Sequence, residues 1–146
     1  MRIYLDMCSI QRPLDTRTQI RIAVEAEAIL GVLALGEAGQ AELVTSETHV
    51  FEAERNPHPI RKRYAFGVLA RAKVFVHTAN EIEARARALH ATGIKPLDAL
   101  HLASAVEAKA DYFCTCDDRF LKRAKAVDTL QTQVVSPLEL IAEVTR

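Results

Sequence analysis

Tryptophan is absent from the 146 residues and aromatic residues make up only 5%, so a stacking platform for unpaired bases has little to be built from. The three cysteines, Cys8, Cys114 and Cys116, are odd in number and lack a Cys-x-x-Cys spacing. That excludes a disulfide framework and a zinc knuckle and leaves reduced thiols as the expectation. Neither sign of charge is in excess: 19 basic residues balance 19 acidic ones, so any attraction to a polyanion must be local. No apolar run approaches the roughly 20 residues that a membrane helix requires. Met1-Arg-Ile-Tyr-Leu5 leads directly into a strand without a signal-peptide pattern. The expectation is a cytoplasmic protein with no membrane partner.

What is present is an ordinary globular composition, 49% apolar and 26% charged, in a length that suits one domain over residues 1–146. Ile3-Tyr-Leu5 is a short apolar run stopped by Asp6, as a buried parallel strand would be. Helical periodicity over Thr18 to Leu35 is interrupted by Gly36 and Gly39. A second strand, Ala41 to Thr45, meets Ser46 as N-cap of a helix reaching Arg55, and Asn56-Pro-His-Pro59 breaks that helix. Further helices are expected over Ile60 to Ala70, Glu81 to His90, Leu97 to Lys109 opened by Pro96, Arg119 to Ala126, and after Pro137. Further strands are expected at Val74 to Val76, at Tyr112 to Thr115 and at Val134-Val135. Cys8 to Arg21, with little apolar periodicity, reads as an extended loop.

Strands alternating with helices predict a three-layer α/β/α fold around a central, mostly parallel sheet of four to five strands. Such sheets place functional groups beyond the C-terminal ends of their strands, which selects Asp6 and Asp117. Asp98 falls in the first turn of its helix, on one face with His101, Leu102 and Ala105. Clustered carboxylates repel and raise one another's pKa unless a cation neutralises them. Mg²⁺ is a hard ion that binds through a few carboxylates, waters and substrate phosphate, and it suits phosphodiester hydrolysis. Each acid alone also has a plainer explanation: Asp6 and Asp117 as helix caps, Asp98 as a favourable first-turn charge, Glu52 as a solvated helix residue. His101 reads as a packing or hydrogen-bonding residue.

Four segments carry a resemblance. Ile3-Tyr-Leu-Asp6, Ser46-Glu-Thr-His-Val-Phe-Glu52, Pro96-Leu-Asp-Ala-Leu-His-Leu-Ala-Ser-Ala105 and Thr115-Cys-Asp-Asp-Arg-Phe120 resemble, in order and over nearly the whole length, the PIN-domain family. The chain is similar to the VapC-like ribonuclease toxins of toxin–antitoxin pairs. The resemblance implies Asp6, Glu52, Asp98 and Asp117 as ligands or supports of Mg²⁺ or Mn²⁺, with Thr115 as a hydroxyl bracing the site. Asp118 is a second candidate for the last acid, and alternation along a strand favours Asp117 because it would then share a side with Thr115. The implied activity is metal-dependent endoribonuclease cleavage of RNA, and the implied partners are a homodimer mate and an inhibitory antitoxin.

A non-catalytic PIN-fold binding module acting through RNA or a protein is the alternative. A phosphotransferase with Asp6 as nucleophile is disfavoured, because Asp6-Met-Cys8 lacks the second carboxylate of an Asp-x-Asp pair. Two basic clusters are candidate RNA contacts: Arg61, Lys62 and Arg63, and Arg119, Lys122, Arg123 and Lys125. Cys8 and Cys116 follow strands expected to be neighbours, which would set both thiols beside the acids.

Overall fold

The computed structural model describes all residues from Met1 to Arg146. Five strands, β1 (Arg2–Leu5), β2 (Glu42–Ser46), β3 (Val74–Val76), β4 (Tyr112–Cys114) and β5 (Gln133–Val135), form one sheet in the order β3-β2-β1-β4-β5. Every pair is parallel. Side chains alternate across it as the pleat demands. Tyr4, Val44, Phe113 and Val134 pack into one core, and Ile3, Leu5, Leu43, Cys114 and Val135 into the other.

Eight helices cover the two faces: α1 (Met7–Gln11), α2 (Ile20–Glu37), α3 (Glu47–Glu54), α4 (Pro59–Leu69), α5 (Asn80–Ala91), α6 (Pro96–Glu107), α7 (Asp118–Lys125) and α8 (Pro137–Val144). The α5, α6 and α7 helices supply the first core, and α1, α2, α4 and α8 much of the second. The result is the expected three-layer α/β/α arrangement, with five strands, all parallel. Local chemistry explains the helix starts. Proline occupies the first turn of α4, α6 and α8, and the side chains of Ser46, Asp117 and Ser136 accept backbone N–H groups at the starts of α3, α7 and α8. No helix is long and apolar enough to cross a membrane.

Two expectations need correction. The segment from Cys8 is not an extended loop: it opens as α1, continues as a 3-10 turn over Arg12–Leu14, and is irregular only before α2 begins at Ile20. The cause is Asp6, whose side chain accepts the Ser9 N–H and so nucleates a helix immediately after β1. The fourth strand ends at Cys114, so strand alternation does not govern Thr115 to Asp117.

Candidate active site

The strand order determines where a site can form. From β1 the chain moves outward to β2 and β3, then returns to the other side of β1 as β4. The crevice beyond the C-terminal ends of β1 and β4 is therefore the topological switch point of the sheet. Leu5 is level with Cys114, and the Asp6 N–H donates to the Cys114 carbonyl at 3.0 Å, so Asp6 and Thr115 leave the sheet side by side.

Asp6 is only 4% exposed. Its Oδ1 accepts the Ser9 N–H at 3.0 Å and the Cys8 thiol at 3.1 Å. Burial raises its carboxyl above the ordinary range, against hydrogen bonds from Thr115, Cys8 and Ser9 that favour the charged form. The Thr115 hydroxyl also accepts the Asp117 N–H at 3.1 Å. Asp117 in turn caps α7 through Oδ1, which takes the Phe120 N–H at 3.0 Å. The capping explanation thus holds for both Asp6 and Asp117 without exhausting either, because each cap uses Oδ1 alone.

Asp98 is half-buried on the first turn of α6. Its carboxyl is pushed up to about 6, first by burial and then by the negative charges of Asp6, Asp117 and Glu52, with His101 opposing. Asp98 thus feels the charge of the other three acids selected from the sequence: Asp6 just after β1, Glu52 on α3 and Asp117 just before α7. Glu52, the member resting on the resemblance, is held by His101, whose Nε2 lies 2.8 Å from Oε1. Asp118 is drawn away: it is exposed, and both its oxygens take the Arg21 guanidinium at 2.7 Å.

Within the cluster no lysine or arginine forms an ion pair with Asp6, Glu52, Asp98 or Asp117. Carboxylates that no lysine or arginine neutralises by an ion pair, two of them partly desolvated, have the oxygen donors a hard divalent ion takes. The acids do not form a closed cage, since no three His, Cys, Asp or Glu side chains are gathered in ligating positions.

A model of the PIN-domain family matches residues 3–126. The chain belongs to this family. PIN domains are in general nucleases and typically use divalent metal ions. Among solved structures, the PIN domain described here is similar to a chain in the crystal structure of VapBC2 from Rickettsia felis bound to a DNA fragment from their promoter. The TM-score is 0.60 at 11% identity, covering 92% of this chain and 98% of that one. No curated protein sequence matches it.

The surroundings of the acids add residues that sequence inspection missed. Lys95 lines the same cleft as Asp98, Asp117, Arg119 and Arg123. Arg123 is anchored on the Gly93 carbonyl, at a turn where Gly93 has the positive φ of 104° that glycine tolerates. Lys95 and Arg119 are exposed and carry no ion pair or hydrogen bond to protein. Two members of the basic clusters are committed elsewhere: Arg61 to Gln11, Leu14 and Asp15, and Lys125 to Glu139. The thiols do lie beside the acids. Cys116 and burial hold the Cys8 thiol well above its ordinary range, while Cys8 and then Ser9 and Arg12 pull Cys116 down against burial.

Proposed function

We propose that this PIN domain is a Mg²⁺- or Mn²⁺-dependent endoribonuclease hydrolysing RNA phosphodiester bonds. The observation that carries this is the pair of partly desolvated carboxylates at the switch point, Asp6 and Asp98, each raised by burial and neither ion-paired to a lysine or arginine. Asp6, Asp98 and Asp117 would hold the ion, with Glu52 completing or supporting its shell. When bound, the ion activates water and offsets charge on the scissile phosphate. Thr115 favours the charged form of Asp6 against burial and fixes the backbone of Asp117, so that the two acids following adjacent strands would keep their spacing. Burial strengthens every charge interaction made in the cleft.

The basic rim supports a polyanionic substrate. Lys95 and Arg119 flank Asp98 and Asp117 with free cationic heads, and there they would take phosphates next to the one being cleaved. Removing either charge with Lys95→Gln or Arg119→Gln should lower the slope of log affinity for single-stranded RNA against log salt by about 0.7. Anisotropy titrations on a non-cleaving Asp98→Asn background would show it. Arg61→Gln should leave that slope unchanged while lowering the Tm, since Arg61 holds the Arg12–Leu14 turn.

The VapC-like resemblance and the likeness to VapBC2 support a narrower form of the reading: a cytoplasmic toxin that forms a homodimer and is held inactive by an antitoxin. The direct test is to incubate the purified protein with RNA panels, with and without Mg²⁺ or Mn²⁺, beside Asp98→Asn. Metal-dependent internal cleavage that the variant lacks is expected. Cleavage that persists in EDTA or in Asp98→Asn would refute the assignment, and no cleavage under any condition would favour the non-catalytic module.

A further inference from the structure

Glu52 ends a run of three side-chain hydrogen bonds that the backbone of α3 closes into a ring joining β1, α3 and α6. The ring begins at Ser46, the N-cap of α3, whose Oγ lies 2.7 Å from the Tyr4 hydroxyl on β1. Tyr4 in turn lies 2.6 Å from His101 Nδ1 on α6. His101 Nε2 reaches Glu52 Oε1 at 2.8 Å, back on α3. Tyr4 is on β1 two residues before Asp6, and His101 is three residues after Asp98 on one face of α6, so each link lies close in the chain to an acid of the site. Tyr4, Ser46, His49 and His101 are each at most 1% exposed. Their rings pack together, Tyr4 on His49 at 4.5 Å and His49 against His101 at 4.8 Å between centroids.

The ring has a direction. The Ser46 N–H can only donate and the Leu5 carbonyl can only accept, at 3.2 Å and 2.7 Å, so His49 accepts at Nδ1 and donates from Nε2. The His49 N–H donates to Ser46 Oγ at 3.3 Å. At the far end a carboxylate accepts, which puts a proton on His101 Nε2. The one arrangement that then uses every group runs from the Ser46 hydroxyl to Tyr4, from Tyr4 to His101 Nδ1, and from His101 Nε2 to Glu52 Oε1. Reversing it needs a second proton on His101 and leaves the Ser46 hydroxyl without an acceptor.

We propose that His101 is a positioning residue: through the Ser46–Tyr4–His101 ring it holds Oε1 of Glu52, so that this carboxylate would be oriented for a metal ion held by the acids, and it fixes the spacing of β1, α3 and α6. The inference rests on the nuclease reading of the acidic cluster and deepens it. It assigns a function to three buried polar side chains that packing alone leaves unexplained, since a half-satisfied buried network is worse than an apolar core.

The test compares His101→Asn, which keeps a partner near Nδ1 for Tyr4 but not the donor to Glu52, with His101→Gln, which reaches the Nε2 position. Mn²⁺ binding is read by electron paramagnetic resonance without RNA, and cleavage is read separately as kcat and KM. His101→Asn should bind Mn²⁺ about tenfold more weakly and lower kcat with KM for RNA unchanged, and His101→Gln should recover most of the loss. In a Glu52→Gln background the two variants should bind Mn²⁺ alike. A merely structural His101 would lower the Tm of both variants and leave Mn²⁺ affinity unmoved. Wild-type affinity in folded His101→Asn, or a loss of the same size with Glu52→Gln present, overturns the positioning role. Should His101→Asn not fold, Tyr4→Phe carries the test: about threefold weaker Mn²⁺ binding is expected, and unchanged binding overturns it. If the wild-type chain binds Mn²⁺ and cleaves RNA while these variants match it, only the positioning role falls. If the wild-type chain does neither, the nuclease reading falls and this one with it.

Discussion

Asp98→Asn should lose RNA cleavage by about 10²-fold or more and at the same time make the metal-free protein more stable. The two effects have one cause. Burial and the charges of Asp6, Asp117 and Glu52 push the Asp98 carboxyl from its ordinary 3.8 up to about 6. An acid with a raised native pKa binds protons more tightly when folded, so stability falls as pH rises from 3.8 through about 6. Above that window the wild-type chain carries the full cost of the ionised group, and an asparagine does not. The full shift corresponds to about 3 kcal/mol, and solvent screening at a half-buried group reduces it to about 1–2 kcal/mol. In EDTA at pH 7.5 the variant should melt about 3–6 °C higher, and the difference should vanish below pH 4. Saturating Mn²⁺ should reverse the order, because it stabilises the chain that binds it. A variant that melts lower than wild type in EDTA at pH 7.5 would show that Asp98 is not under repulsion.

That trade-off between stability and function explains which parts of the molecule could be read from the sequence. Strands such as Ile3-Tyr-Leu5 announced themselves because a buried parallel strand is apolar on both faces. The helix starting at Pro96 announced itself because proline fits the first turn, whereas Pro59, read as a helix breaker, also opens α4. Asp6 and Asp117 stood out as candidates because they follow strands, where a doubly wound sheet puts its chemistry, and Asp98 because it opens a helix. Residues 8–14 were misread because the group that starts α1 is the Asp6 side chain, a residue already given another task. Tyr4 left a clue, as a buried tyrosine hydroxyl must find a partner, but that partner, His101, lies 97 positions away. Lys95 left none, because a lone lysine before Pro96 differs from a solvated one only by what surrounds it in space.

The largest loss of stability should come from a residue outside the acidic cluster, Arg12. Glu25 on α2 is 2% exposed, and the charges that reach it are Arg12 Nη2 at 3.2 Å from Oε1 and Arg21 Nε at 3.5 Å from Oε2. Neither Arg12 Nε nor Glu25 Oε1 makes a hydrogen bond, so Glu25 depends on charge attraction with little directional support. Removing one partner of a buried pair leaves the other charge uncompensated, at a cost of about 3–5 kcal/mol, whereas replacing both with apolar groups is often neutral. Arg12→Met should therefore lower stability by about 3 kcal/mol, and Arg12→Met with Glu25→Leu should recover most of it. Arg17→Ala, which breaks the exposed pair with Glu27 at 2.7 Å, should cost less than about 1 kcal/mol. The network extends to the site, because Arg21 also grips Asp118 and donates to the Cys116 carbonyl at 3.1 Å, on either side of Asp117. Arg12→Met should consequently weaken Mn²⁺ binding through the loosened Cys116–Asp118 turn, and the double variant should restore stability more fully than it restores metal affinity. Urea denaturation of the four-member cycle measures the coupling. A single Arg12→Met loss below about 1 kcal/mol, or a double variant no more stable than the single, would mean that Glu25 is compensated by Arg21 alone.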